Sequence, residues 1–232
     1  MKVNTAATSF VLNEKYFPTK TTASKPLLLL CGFGGRIWQA KRLIYTLNKA
    51  GYDVTALDFS KDVLSKGNPD YLIALVNEVV ERAESYARKA SQPIQLVGIS
   101  LGALLCLNIL RQSASFQSAV LITGGDIAKI AQKIYPKIWT KNYDELATMW
   151  QGINMYSDPK LLSGKRILFV LHDSSKLIDI RDVRQEITKQ NAAGNTLIHT
   201  SHSKFDHVAT IIEETVLFPQ RTLKYIEQVE AP

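Results

Sequence analysis

Two stretches of this chain hold side chains whose types and spacing suit covalent chemistry. In Gly98-Ile99-Ser100-Leu101-Gly102 a serine stands between two glycines, after the apolar run Ile94–Val97 and before the apolar run Leu101–Leu110. The pattern has a mechanical reason. A serine at a sharp strand-to-helix turn holds a strained conformation, and side chains two residues to either side would collide there. Such a turn lifts the hydroxyl above a sheet at a helix N-terminus, where free N–H groups and the helix dipole favour developing negative charge. The chemistry this suits is nucleophilic attack through Ser100 Oγ, and a hydroxyl nucleophile needs a positioned base. The chain has four histidines, His172, His199, His202 and His207. His207, in Phe205-Asp206-His207-Val208, stands directly before a helical pattern, and His202 lies in the same loop. The plainer alternative is a tight turn with an incidental serine.

The elements that must position these residues follow from the apolar periodicity. Leu27–Cys31 is a short apolar run ended by Gly32, which reads as a strand buried on both faces. Ala40, Leu43, Ile44 and Leu47 recur at helical spacing, with Gly51 as the stop. Val54–Leu57 is a second strand. Asn68-Pro69 opens a helix striped by Leu72, Val76, Val79 and Ala83, with asparagine as cap and proline at the first position. Ile94–Val97 is a third strand, and Leu101–Leu110 is apolar enough to be a buried helix. Ala119–Ile122, Ile167–Leu171 and Thr196–His199 are further strands, and Val208–Val216 and Thr222–Val229 finish the chain as helices. Residues 8–17 supply a candidate edge strand. Strands separated by helices predict a mostly parallel sheet of about six or seven strands, covered on both faces. We expect one domain over residues 1–232. The aromatic-rich stretch 134–162, with Tyr135, Trp139, Tyr143, Trp150 and Tyr156, breaks the rhythm and is expected to be a small cap insertion over one end of the sheet.

Over residues 25–230 these features resemble the α/β-hydrolase family of serine esterases and lipases. Leu27–Gly35, an apolar strand ending in Cys31-Gly32-Phe33-Gly34-Gly35, is similar to the family's oxyanion segment, with Cys31 where histidine is common. The oxyanion donors in that segment are backbone N–H groups, so the change leaves the chemistry intact. The resemblance implies donors at the N–H groups of Phe33 and Leu101. It also implies the chain order serine, acid, histidine, with His207 as base and His202 as the fallback. The acid is where the chain departs from the family. Ungapped matching of Leu177-Ile178-Asp179 puts the acid position on Ser175. Asp173 is therefore the leading acid, Asp126 and Asp179 are alternatives, and the acid being absent is a further one. Asp58, after the second strand, reads as structural or capping. Gly32 and Gly34 begin a dinucleotide fingerprint, but Ile37 stands where its third glycine is required, so no nucleotide site is expected.

Composition narrows the rest. The 232 residues carry 46% hydrophobic and 21% charged side chains, enough for a sizeable core without staples. The 28 basic and 21 acidic residues leave +7, scattered in pairs such as Lys165-Arg166, so a nucleic-acid partner is not expected. The two cysteines, Cys31 and Cys106, lie in apolar segments without metal spacing, and no metal or organic cofactor is expected. Met1–Val11 has no continuous apolar stretch, and no run is long enough to span a bilayer, which predicts a cytoplasmic protein. The partner expected is a small-molecule acyl substrate, hydrolysed as an ester or thioester through an acyl-enzyme. A lapsed binding protein of the same fold, or an amidase, C–C hydrolase or acyltransferase, are the competing readings.

Overall fold

The computed structural model describes residues 11–22, 24–155, 159–172, 176–192, 194, 196–201 and 206–230. Among the described residues, seven strands form one sheet: β1 (Leu12–Phe17), β2 (Lys25–Leu30), β3 (Tyr52–Phe59), β4 (Gln95–Ile99), β5 (Ser118–Ile122), β6 (Arg166–Leu171) and β7 (Thr196–Ser201). Their spatial order is β1-β3-β2-β4-β5-β6-β7, and every pairing except β1 with β3 is parallel. The antiparallel edge strand is the one anticipated within residues 8–17. Between the strands run α1 (Lys41–Lys49), α2 (Asp62–Ser65), α3 (Pro69–Lys89), α4 (Leu101–Gln112), α5 (Ile127–Ile134), α6 (Tyr143–Met149) and α7 (Ile180–Ala192). After β7 come α8 (His207–Ile212) and α9 (Pro219–Glu230).

Alternation along the strands divides the core into two layers. Leu28 and Leu30 of β2 join Leu96, Leu121 and Phe169 on one face, under α3 and α4. Leu27 and Leu29 join Val97, Ile99, Val120 and Val170 on the other, against α1 and α9. Because both faces are covered, β2 reads as an unbroken apolar run. Each of its buried leucines contributes roughly 2 kcal/mol of burial free energy. Helix boundaries follow their capping chemistry. Asn68 Oδ1 accepts the Asp70 N–H at 2.9 Å, with Pro69 next in the chain. Gly51, at φ +93°, ends the turn after α1. Helix α4 is buried on all sides from Leu101 to Leu110.

Helix α8 passes into a wide turn, Glu213–Leu217, wound as a π-helix. Arg221 Nη1 binds Glu213 Oε1 at 2.6 Å, and Thr222 Oγ1 donates to the Glu214 carbonyl at 3.0 Å. These contacts tie the segment bearing His207 to α9, which packs on the sheet. Residues 134–162 hold the end of α5, α6 and a short 3-10 turn, Pro159–Leu162. The two tryptophans among these go into packing. Trp139 and Trp150 meet edge to face at 4.9 Å, both buried, and their indole N–H groups donate to the carbonyls of Leu64 and Pro69. Asn108 and Arg111 of α4 donate to the carbonyls of Ile153, Asn154 and Met155. Burial lowers the Arg111 guanidinium to about 10.

At the described glycines, the tightest approach is between β2 and the start of α4. A Cβ on Gly102 would stand 2.1 Å from the Leu30 carbonyl oxygen, and one on Gly98 would stand 2.4 Å from the Gly102 oxygen. Both clashes are with backbone, which cannot swing aside. Gly102→Ala is therefore expected to cost about 3 kcal/mol, the upper end of overpacking penalties. A guanidinium unfolding curve with its midpoint unchanged would contradict this.

Candidate active site

Ser100 links β4 to α4 with φ +55° and ψ −115°, a strained backbone for a residue with a side chain. Its N–H donates to the Ile122 carbonyl at 2.8 Å, and its own carbonyl accepts the Ala103 N–H at 2.9 Å, so both sides of the bend are held. The first N–H groups of α4, Leu101's among them, lack intrahelical acceptors by position. Ser100 Oγ lies 2.9 Å from His207 Nε2. The expected pair thus meets across the long chain separation, brought together because α8 packs beside the ends of β2 and β4. Asp206 caps α8 by accepting the Ala209 N–H at 2.9 Å, which sets the ring at the helix start.

The loop Gly32–Arg36 runs beside the serine. A Cβ on Gly32 would sit 3.1 Å from Ser100 Cβ, and the Gly35 N–H closes a turn on the Gly32 carbonyl at 2.9 Å. Asp58 anchors this loop, as its structural reading anticipated. The carboxylate is buried and accepts from Ile37 N–H (2.9 Å), Asn13 Nδ2 (2.6 Å) and Arg36 Nη1 (3.3 Å). Asn13 is its cross-strand partner in the β1–β3 register. Burial, with Asp58 adding to it, pushes the Cys31 thiol up to about 12, so Cys31 stays protonated and offers no competing nucleophile.

A cleft of about 320 Å³ opens at Ser100 and His207. One wall is the loop from Cys31 to Ala40, and the other is α8 with the π turn, through Val208, Ile211, Ile212, Thr215 and Val216. Larger hollows of 370 and 520 Å³ lie at β1 with α3 and at α1 with α9, and neither is lined by a serine–histidine pair. Among the described residues, the tryptophans of 134–162 do not roof the cleft. They face the core, and Tyr135 reaches the site only by setting its ring edge against Phe33 at 6.0 Å.

Two of the acid candidates are engaged with other partners. Asp126 caps α5 and accepts from Ala128 N–H, Lys129 N–H, Asn154 Nδ2 and the Tyr143 hydroxyl, so its oxygens are occupied away from His207. Asp179 binds the Arg181 guanidinium and N–H. These hydrogen bonds, led by the side-chain one, hold its carboxyl down at about 2. Asp173 and His202 lie outside the described residues. Among the described residues no group hydrogen-bonds His207 Nδ1. The residue that sequence reasoning passed over is His172, buried at the end of β6, whose ring meets that of His207 edge to face at 5.7 Å. Only its place, at the tip of a strand next to the leading acid, could have signalled it. Among the described residues no cluster of three His, Cys, Asp or Glu side chains could hold a metal. No helix among them is long and apolar enough to cross a membrane.

The sheet order and the turn at Ser100 agree with sequence comparison, in which the model of the alpha/beta hydrolase fold matches residues 25–158. This chain belongs to the α/β-hydrolase fold family. Solved structures share that fold. TT1662 from Thermus thermophilus superposes with a TM-score of 0.74 at 16% identity, covering 95% of both chains. The Pyrococcus furiosus esterase Pf2001 does so at 0.62 and 17%, covering 97% of this chain and 95% of its own. Porphyromonas gingivalis dipeptidyl peptidase 4 matches at 0.69 and 13%, over 94% of this chain, which spans only 33% of that enzyme's length. No curated protein sequence is significantly similar to the chain.

The electrostatics of this α/β-hydrolase site centre on His207. Burial first, and then the neighbouring His172, lower its imidazole from 6.5 to about 4, with Asp206 offsetting part of the shift. The folded ring is therefore neutral at pH 7, the state a base requires. Between pH 6.5 and 4 the unfolded chain takes up a proton that the folded chain does not, so stability falls as pH drops through that window. Titration of the imidazole nitrogens by NMR should find His207 below the ordinary 6.5. His172→Phe, which keeps the edge contact and removes the ionisable neighbour, should raise that value. An unchanged midpoint in the variant would refute the assigned influence of His172.

Proposed function

We propose that the chain is a serine hydrolase that cleaves a small ester or thioester through a covalent acyl-enzyme. The observation that carries this reading is the 2.9 Å contact between Ser100 Oγ and His207 Nε2 at a strained βα turn. Ser100 Oγ attacks the acyl carbon while its proton passes to Nε2. The tetrahedral oxyanion is held by the N–H groups of Phe33 and Leu101, as family resemblance suggests. Losing one such donor typically costs about 3 kcal/mol of transition-state stabilisation. The carbonyl re-forms, the C–O or C–S bond breaks, and His207 returns the proton to the departing alkoxide or thiolate. Water then attacks the acyl-enzyme as His207 accepts its proton, and His207 returns that proton to Ser100 Oγ as the acyl–oxygen bond breaks, releasing the carboxylic acid and free Ser100.

Asp173 is our candidate for the third member. Asp126 and Asp179 are engaged elsewhere, and Asp173 directly follows His172, whose ring touches His207. There is also a physical demand for it. Burial and His172 both disfavour the imidazolium that forms during attack. A carboxylate at Nδ1 would stabilise that cation and fix the ring's tautomer. The two buried free thiols, Cys31 and Cys106, support a reducing, cytoplasmic setting.

A fluorophosphonate probe should label the wild-type chain and fail to label Ser100→Ala. Absence of labelling in the wild type would favour the lapsed binding protein instead. Asp173→Asn should lower kcat on a short-chain ester by about 10²–10⁴-fold. A loss under three-fold would remove Asp173 from the mechanism.

A further inference from the structure

The cleft at Ser100 has two chemically different walls. The wall from α8 and the π turn places His207, Ile211 and Thr215 at helical spacing, with Val208 and Ile212 beside them, and the residues it presents to the cleft carry no charge while His207 is neutral. The opposite wall, the loop Gly32–Ala40, brings Arg36. Among the described residues lining this cleft, Arg36 is the one permanently charged side chain. Its guanidinium is tethered by a single Nη1 contact to Asp58 at 3.3 Å, and the side chain remains 47% exposed. Asp58 itself is 6% exposed and committed to Ile37 and Asn13. An anion entering the cleft therefore meets the guanidinium fork and not the carboxylate behind it. The hydrocarbon stem of Lys61 lies close over Gly34, outside the residues that line the cleft.

The direction of the reaction decides which part of the substrate faces this cation. Since His207 protonates the departing group, that group leaves along the α8 wall, which is apolar. Resting on the hydrolase reading above, we propose that the preferred substrate couples an apolar alcohol or thiol to an acyl chain carrying a carboxylate, and that Arg36 binds that carboxylate. A planar guanidinium with free donors matches a carboxylate in a way a lysine does not. The tether to Asp58 keeps the fork in place before substrate arrives.

Butyl hexanoate and the monobutyl ester of hexanedioic acid are the same length and differ by one terminal carboxylate, ionised at about pH 7.5. The ratio of their kcat/KM values cancels any general loosening of the loop. The wild type should favour the monoacid. In Arg36→Gln the ratio should fall about ten-fold, the loss expected for one charge-assisted hydrogen bond, and Arg36→Lys should fall between. A wild-type preference for butyl hexanoate, or a ratio untouched by Arg36→Gln, would overturn the proposal. Calorimetric binding of the same two esters to Ser100→Ala, with and without Arg36→Gln, decides the point separately from turnover. Tighter binding of the monoacid that disappears with Arg36→Gln supports it, and equal binding of both esters refutes it, whether or not Ser100 proves to be the nucleophile.

Discussion

The site depends on how closely the start of α4 approaches β2. With no side chain at Gly102, the helix backbone comes so near the Leu30 carbonyl that a single added carbon would overlap it. That approach forces the chain through a bend at Ser100 that few residues adopt willingly, and Gly98 leaves room on the other side of the bend. The strain is held by the fully buried helix that follows and by the parallel ladder on both sides of β4. A hydroxyl presented this way stays fixed at a helix N-terminus, where a new negative charge is stabilised at no further reorganisation.

Four elements then converge on that hydroxyl, and the sheet order explains why. Strands β2 and β5 flank β4, so the loop after β2 lies beside the serine, and the β5 end accepts its N–H. Strand β6 brings His172 one position further along, and α8 returns over the same edge with His207. The loop from Gly32 to Arg36 has little side-chain mass of its own to hold it. Asp58 supplies the anchor from a neighbouring strand, a buried carboxylate whose hydrogen-bonding capacity is met by three donors. One side chain thereby positions both the candidate oxyanion segment and the cation of the cleft.

Trp139 and Trp150, within residues 134–162, are spent on packing. A run of tryptophan and tyrosine suggests a greasy roof over a pocket. Here the indoles pack on each other and hydrogen-bond backbone carbonyls near α2 and α3, because a large ring with one donor is most stable where both its area and its N–H are satisfied. The cleft is consequently walled by α8 and the glycine loop, and its apolar character comes from Val208, Ile211 and Ile212.

Local chemistry made much of this legible in the chain itself. Short apolar runs marked β2, β4, β5 and β6 because strands buried on both faces have little polar to show. Asn68-Pro69 marked the start of α3, and the spacing Gly98-Ser100-Gly102 marked the bend, since each rests on sterics or capping within a few residues. His207 was legible from its place before a helix. What tertiary structure alone decided are the contacts between distant segments: the 2.9 Å approach of Ser100 and His207, the pinning of the glycine loop by Asp58, the ring of His172 against His207, and the engagement of Asp126 and Asp179 with other partners. A carboxylate's role is set by which donors lie within 3 Å of it, and that distance belongs to packing, on which residue spacing along a chain is silent.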